Sequence, residues 1–269
     1  MTFRTLGLRS DLVAAGGATH VDMRDGYALL RTPEEPDYWS GNALVVLSEG
    51  PEPAEAVALF EEHFPEARHC ALVWDDPATK VDPTQAALGE AFVVRSADVM
   101  VFDGAATEAD VPKGVSIRQI EEDGWDAVLA LQLAIAEEEG FDLEPHEAFL
   151  RRRNRARRAL VAAGRAAWFG AFEHDRLAGQ LGMVTGEGMA RFQAVETAAE
   201  HRRRGIASAL LDHARGWALA RDPAAQVVIL ADTDGAASRL YAARGFRRRE
   251  SLVDAIRASY DTGLSAVVT

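Results

Sequence analysis

The sequence predicts an α/β protein in which helices flank a sheet, and three observations support that class. Strand-like and helix-like patterns alternate along residues 115–256, as in folds that layer helices on a sheet. Residues 227–231 (VVILA) form a short continuous apolar run, which is typical of a buried parallel strand. Residues 192–197 form a strand-like segment that leads through a basic, glycine-containing turn into an amphipathic helix.

The first elements of this region are a strand and two helices. Residues 115–120 alternate like a half-buried strand. The helical spacing of apolar residues from Trp125 to Ile135 predicts one helix, and residues 146–163 predict a second. The second helix carries an arginine-rich run at 151–158 whose arginines recur on nearly all helix faces. We expect these arginines to face solvent; the alternative is that they hold an anionic group of a substrate or cofactor.

The remaining elements follow in a regular order. A hairpin is predicted to turn at His174 and Asp175. After it we expect a strand at 189–197, a helix ending near Arg221, a strand at 227–231, a helix containing Tyr241 and a last strand at 248–256. The predicted order from residue 115 onwards is therefore β-α-α-β-β-β-α-β-α-β.

The charge distribution divides the chain. Residues 1–111 carry 7 basic and 20 acidic side chains, which equals the whole net charge of −13. We therefore predict an N-terminal α/β domain at 1–105 and a second domain at 112–258, joined near residues 105–113 (AATEADVPK). Strands are expected at 27–33, 43–47, 70–74 and within 92–102, and a helix at 55–64.

Composition excludes several functions. The single cysteine, Cys70, excludes an internal disulfide, and we expect it to be a small buried apolar residue. The acidic N-terminal part argues against nucleic-acid binding. The histidines lack metal-ligand spacing, so no metal is predicted. Without a charged-then-apolar leader or an apolar run of membrane-spanning length, we expect a cytoplasmic protein with no membrane partner.

The most informative segment is the turn at 202–207 (RRRGIA). The first N–H groups of a helix lack partners, the helix dipole favours an anion there, and glycine allows close approach to the backbone. A strand that enters such a turn therefore predicts a phosphate site and a phosphorylated cofactor. The sequence contains neither a P-loop nor a dinucleotide-binding glycine motif in the required setting.

Two motifs in this setting resemble those of the GNAT superfamily, the GCN5-related N-acetyltransferases that use acetyl-CoA. The first is similar to their pyrophosphate-binding motif, with Arg202, Gly205 and Ala207 at the defining positions. The second is similar to their N-x-x-A-x-x-L-Y-x-x-x-G-F element, in which the matching residues are Ala237, Leu240, Tyr241, Gly245 and Phe246. Asp234 stands where the family usually has Asn, and an ionised aspartate cannot donate a hydrogen bond to the cofactor arm.

The resemblance implies a fold and an activity. It implies the GNAT acyl-CoA N-acyltransferase fold at about 112–258, with a mixed central sheet, and a degenerate, cofactor-less GNAT-like subdomain at 1–105. It also implies an acetyltransferase that carries an acyl group from acetyl-CoA to a primary amine of a small molecule or peptide, by direct transfer through a tetrahedral intermediate.

The same resemblance assigns residues to roles. Backbone groups of Val195 and Thr197 would contact the pantetheine arm, and Tyr241 would protonate the coenzyme A sulfur. The diphosphate would lie on the turn, whose cofactor-binding residues are Arg202, Arg203, Arg204, Gly205, Ile206, Ala207 and Ser208, with Asp234 as a further contact. Glu196 is the first candidate for the general base; its alternative is a partly buried ion-pair partner.

Some questions stay open at the level of sequence. The acidic residues at 137–139 and Asp142 would bind an ammonium group or form a solvated helix end. The alternative to an enzyme is a catalytically inactive module that binds or senses acyl-CoA, and a weaker one is transfer to a hydroxyl group. The acceptor, the acyl-chain preference and the monomeric or dimeric state are undetermined.

Overall fold

The computed structural model describes residues 3–104 and 109–258. The elements up to residue 104 are α1 (Leu6–Ala15), β1 (His20–Met23), β2 (Tyr27–Arg31), β3 (Ala43–Val46), α2 (Pro53–His63), β4 (His69–Trp74), α3 (Val81–Leu88) and β5 (Val93–Phe102). The elements from residue 109 onwards are β6 (Val115–Gln119), α4 (Trp125–Glu138), α5 (Leu143–Ala162), β7 (Ala166–Glu173), β8 (Arg176–Gly186), β9 (Met189–Thr197), α6 (Ile206–Arg221), β10 (Gln226–Asp232), α7 (Ala236–Ala243) and β11 (Phe246–Ala258).

The order of elements after residue 109 confirms the predicted one. The hairpin between β7 and β8 turns where the sequence indicated, and both turn residues, His174 and Asp175, have positive φ. Asp is among the residues that tolerate this conformation. In the N-terminal region, α1, β1 and α3 were not predicted from the sequence. The α3 segment contains Pro83 and few large apolar residues, so its helical periodicity is weak.

Contacts divide the described chain into two compact units whose segments alternate along the sequence. The first unit draws on residues 3–100, 230–239 and 248–258, and the second on 101–104, 109–229 and 240–247. The division into sequential domains at 1–105 and 112–258 stays a prediction. Residues 105–108 of the predicted junction lie outside the described residues.

The first unit is a mixed sheet with a helix between its parallel strands. β1, β2 and β3 pair antiparallel, β3 pairs parallel with β4, and β4 pairs antiparallel with the last strand, β11. The parallel pair is connected through α2, as a crossover requires. The core of this unit includes Leu29, Leu44, Phe60 and Leu72, all almost fully buried. Cys70 is buried there, as predicted.

The second unit contains the predicted phosphate turn. β6, β7, β8 and β9 pair antiparallel in sequence order, and β9 pairs parallel with β10. Trp168 on β7 contacts Trp125 of α4 and Arg157 of α5, whereas the adjacent Phe169 contacts α6. Because successive side chains of a strand point to opposite faces, α4 and α5 cover one face of this sheet and α6 covers the other.

The structure corrects the interpretation of the arginine-rich run. The guanidinium-bearing side chains of Arg153 and Arg157 are buried, with 7% and 8% of each residue exposed. Arg155 and Arg158 on the same helix are exposed, as expected. The run therefore has a buried face against α4 and β7 as well as a solvated one. No helix within the described residues is long and apolar enough to span a membrane.

Candidate active site

The candidate site begins at a bulge in β9. The register between β8 and β9 shifts between Gln180 and Gly182, and Ala194 in the middle of β9 has a φ of 48°. β9 uses one more residue than β8 over this stretch, which is the definition of a bulge. A bulge bends its strand and strengthens its twist, and here it precedes Val195 and Glu196.

The pairing of β9 changes along its length. Its parallel pairing with β10 joins Met189, Ala190 and Arg191 to Gln226, Val227 and Val228. After the bulge, the registered pairs of β9 among the described residues are with β8, at Glu196 and Thr197. The Thr197 carbonyl also accepts a 3.1 Å hydrogen bond from Arg202 Nε. One backbone group that the sequence assigned to a cofactor is thus engaged within the protein.

The turn after β9 has the backbone that the sequence indicated. Arg203 has a φ of 61° and Gly205, the N-cap of α6, has a φ of 86°. No side chain caps the helix, and the Gly205 carbonyl accepts from the Ala209 N–H at 3.0 Å. By helix geometry the N–H groups that precede Ala209 lack intrahelical acceptors. This end of α6 suits an anion.

Two of the three arginines of the turn pair with carboxylates of the protein. Arg202 makes a bidentate pair with Glu138 at the end of α4, at 2.6 and 2.7 Å. Arg204 likewise contacts both oxygens of Glu173 on β7. The sequence interpretation assigned these positive charges to a diphosphate, and the structure shows them partly neutralised. The side-chain hydrogen bond from Arg204 lowers the pKa of Glu173 to about 2.

Glu196 is hydrogen-bonded within the second unit. Its Oε2 accepts a 2.5 Å hydrogen bond from Gln180 Nε2, and Gln132 of α4 also hydrogen-bonds its carboxyl. Gln180 is fully buried and Gln132 nearly so, whereas Glu196 is partly exposed. The amides are neutral partners, and the charge of Arg157 also acts on the carboxyl, so the ion-pair alternative stays open beside the role as a base.

The electrostatic environment of Glu196 raises its pKa. Desolvation by burial is the largest cause, and the charge of Glu139 acts in the same direction, while Arg157 and the amide hydrogen bonds oppose it. Burial and the charge of Glu138 also raise the pKa of Glu139. A carboxylate with a raised pKa is suited to accept a proton near neutral pH.

The other predicted site residues lie in α7 and the turn before it. Tyr241 is 2% exposed and its ring lies 6.3 Å from that of Phe246. Asp234 has a φ of 60° and is exposed. Asn and Asp are the non-glycine residues most often found in that conformation, so the turn itself accounts for an Asp at this position. Asp142 caps α5 by accepting from the Glu144 N–H.

Sequence reasoning missed the residues that surround Glu196. Gln132 and Gln180 each lie within an otherwise apolar segment, LALQLAI and LAGQLGMV. A polar residue on the buried face of an amphipathic element was the available signal, because buried polar groups require partners. The partners themselves lie on other elements, and the sequence gives no indication of which ones.

Known proteins resemble this chain in sequence pattern and in fold. Residues 125–246 match the acetyltransferase (GNAT) family model, and no curated protein matches the chain. A conserved protein of unknown function from Staphylococcus epidermidis is similar in structure, with a TM-score of 0.69, 11% identity and coverage of 90% of this chain and 95% of that one. A GCN5-related N-acetyltransferase from Kribbella flavida is similar as well, with a TM-score of 0.61 and 14% identity. That match covers 94% of this chain and 96% of the other one.

A third similar structure is that of a tandem protein. A tandem GNAT protein from the clavulanic acid biosynthesis pathway has a TM-score of 0.53 and 18% identity, covering 91% of this chain and 85% of that one. At these identities the three structures show a common fold. That fold is a mixed α/β one, in which helices flank a mixed sheet. The family match spans residues 125–246, which include β9, the turn after it and α7.

Proposed function

We propose that the second unit is an acetyl-CoA-dependent N-acetyltransferase that acts on a primary amine of a small molecule or peptide. The observation that carries this proposal is the juxtaposition of two features at the end of β9. The uncapped N-terminus of α6 begins nine residues after Thr197, at Ile206, and the neighbouring Glu196 is held by hydrogen bonds with a raised pKa.

The residues of the turn fit an anionic cofactor group. The amides of Arg203 to Ser208 would hold a diphosphate, and the exposed Arg203 adds a positive charge. Arg202 and Arg204 would contribute their charge to the extent that they exchange Glu138 and Glu173 for the ligand. The backbone of Val195, beside the bulge, would receive the amide-containing arm of the cofactor.

Acetyl-CoA, when bound, supplies an acyl group activated as a thioester. Glu196 would take the proton that the attacking amine loses as its nitrogen bonds to the acyl carbon. The Val195 N–H would stabilise the negative charge that develops on the acyl oxygen. Tyr241 would give its phenolic proton to the sulfur as the carbon–sulfur bond breaks, since a tyrosine is protonated at neutral pH.

The acceptor is inferred to be a cationic amine before transfer. Glu139 and Glu196 interact electrostatically and both are carboxyls. A site that presents two carboxyls attracts an ammonium group, which must then lose a proton to become nucleophilic. Because the Glu196 pKa is raised, kcat/KM should fall as the pH decreases through that pKa, where the base becomes protonated.

The proposal is tested by acetyl-CoA-dependent thiol release with a panel of amines. We expect turnover with at least one amine and a loss of about 10²- to 10⁴-fold in kcat/KM for Glu196→Gln. Tyr241→Phe should lower kcat while the affinity for acetyl-CoA, measured by calorimetry, is retained. Full activity of Tyr241→Phe would exclude this tyrosine as the acid.

A catalytically inactive module that senses acyl-CoA is the second candidate. The ion pairs of Arg202 and Arg204 and the burial of Tyr241 favour it, because these side chains are engaged within the protein. Tight acetyl-CoA binding without thiol release across the amine panel would support this candidate and exclude the first.

A further inference from the structure

Glu196 belongs to a cluster of polar side chains whose other members, on α4, α5, β7 and β8, have no role in the catalytic proposal. We call it the Glu196 network. Apart from Glu196 itself, all its members are buried, each less than 9% exposed. Its members are Glu196, Gln180, Trp168, Gln132, Asn154 and Arg157.

One branch of the network starts at an indole. Trp168 Nε1 donates to Gln180 Oε1 at 2.7 Å, and Gln180 Nε2 donates to Glu196 Oε2 at 2.5 Å. An indole N–H is a donor only, so the Gln180 oxygen must face Trp168. The Gln180 amino group is therefore fixed toward Glu196, which must accept.

The other branch starts at a guanidinium. Arg157 Nη1 donates to Asn154 Oδ1 at 3.1 Å, and Asn154 Nδ2 donates to Gln132 Oε1 at 2.7 Å. A guanidinium has no acceptor, so the Asn154 oxygen faces Arg157 and its amino group faces Gln132. The Gln132 oxygen is thereby occupied, and its amino group is the part that hydrogen-bonds Glu196.

Both branches thus end on the Glu196 carboxyl, and each presents an N–H donor to it. Two donor-only groups, on β7 and α5, orient three amides so that only N–H groups face Glu196. The Arg157 Cζ atom also lies 5.3 Å from the centroid of the Trp168 ring, so the residues that begin the two branches are in contact. This arrangement favours a carboxylate over a carboxylic acid, because the O–H of the acid would point at an N–H group that is also a donor.

We propose that the Glu196 network positions the Glu196 carboxylate in one orientation and favours its ionised form against the effect of desolvation. This rests on the proposed function for the role of Glu196 as a base, and it makes Gln180, Gln132, Asn154 and Arg157 positioning residues. Among the described residues, the charges that act on Glu196 are those of Arg157 on α5, which favours ionisation, and Glu139 just after α4, which opposes it.

The network is tested in the protein without any cofactor. Glutamate labelled with ¹³C at the carboxyl carbon gives a titration curve for Glu196 by NMR, assigned by the signal lost in Glu196→Gln. We expect Arg157→Met to raise the titration midpoint by about one pH unit or more, because an adjacent positive charge is removed. Arg155→Met is the matched control, since Arg155 is an exposed residue on the same helix, and it should leave the midpoint unchanged.

A second variant keeps the volume of the buried cluster. Asn154→Leu is nearly isosteric and adds no charge, but its side chain cannot donate to Gln132, so the Gln132 amide is free to turn its oxygen toward Glu196. The midpoint should again rise, and this variant decides the matter if Arg157→Met does not fold. Folded Arg157→Met and Asn154→Leu proteins that both keep the wild-type midpoint would overturn the proposal.

Kinetic measurements distinguish the proposal about the network from the proposal that Glu196 is the base. With an accepted amine, the acidic limb of the kcat/KM profile should move upward by the same amount as the NMR midpoint in each network variant. If Glu196→Gln were fully active while the NMR midpoints shifted as expected, the network would stand and the role of Glu196 as a base would fail.

Discussion

At the scale of single residues, acidic side chains decide how much positive charge the turn offers to a ligand. Glu173 and Glu138 each hold one arginine of the turn in a bidentate pair. Because Arg204 lowers the pKa of Glu173 to about 2, this pair stays ionised throughout the range of an enzyme assay. A bound diphosphate must compete with these carboxylates or bind to the backbone amides beside them.

Replacing Glu173 should strengthen coenzyme A binding. Glu173→Gln leaves Arg204 without its counter-charge, and since the pair is at the surface we expect a gain of about two- to fivefold in affinity at low salt. The gain should shrink as salt is added. Glu187→Gln is the control, because it removes the same charge from the hairpin at the opposite end of β9. Calorimetric titration that gives equal affinities for the two variants would contradict this account of the turn.

At the scale of elements, the strand–turn–helix segment depends on a glycine with positive φ. A side chain at position 205 would meet little steric hindrance, since its nearest neighbour would be Pro112 Cγ at 3.8 Å. The constraint at this position comes from the φ of 86°, which an L-residue adopts at a cost of about 1–2 kcal/mol.

Two alanine substitutions on the same helix separate this constraint from helix propensity. Gly205→Ala should lower the free energy of unfolding by about 1–2 kcal/mol, and it should weaken coenzyme A binding as the turn relaxes toward negative φ. Gly216→Ala, within α6 where the added carbon meets nothing within 4 Å, should raise stability by about 0.5–1 kcal/mol. Its cofactor affinity should be unchanged. Chemical denaturation and calorimetry measure both effects, and equal behaviour of the two variants would argue against a strained turn.

The sequence predicted those elements whose signal is local. Apolar spacing located α6, and the Gly205 motif located its N-terminus, because both depend on neighbouring residues. The bulge at Ala194 was not predicted, since alanine carries no preference for positive φ. The burial of Arg157 was missed for a different reason. Its contacts include Asn154 on the same helix and Trp168 on β7, and the contact with β7 depends on how the elements pack.

At the scale of the whole molecule, the two units are interleaved in sequence. The last strand, β11, was predicted to complete the C-terminal domain. In the structure residues 248–258 belong to the first unit. Within that unit β11 pairs with β4 over six residue pairs, from Val253–Trp74 to Ala258–His69. A strand assigned to one domain by its position can therefore be stabilised by residues far earlier in the chain.

A fragment of residues 112–258 should consequently fold poorly by itself. It would lose β4, and the nearly fully buried Val253, Ala255 and Ile256 would become exposed along an unpaired strand edge. Burial of a Val or Ile side chain contributes about 1.5–3 kcal/mol, so the loss is comparable to a large part of a typical folding free energy of about 5–15 kcal/mol.

A chain ending at residue 258 is the control, because it keeps every pair of β11. We expect the control to unfold cooperatively in thermal circular dichroism and the 112–258 fragment to aggregate or melt without a cooperative transition. A fragment that melts cooperatively at the temperature of the control would instead establish 112–258 as an independent domain.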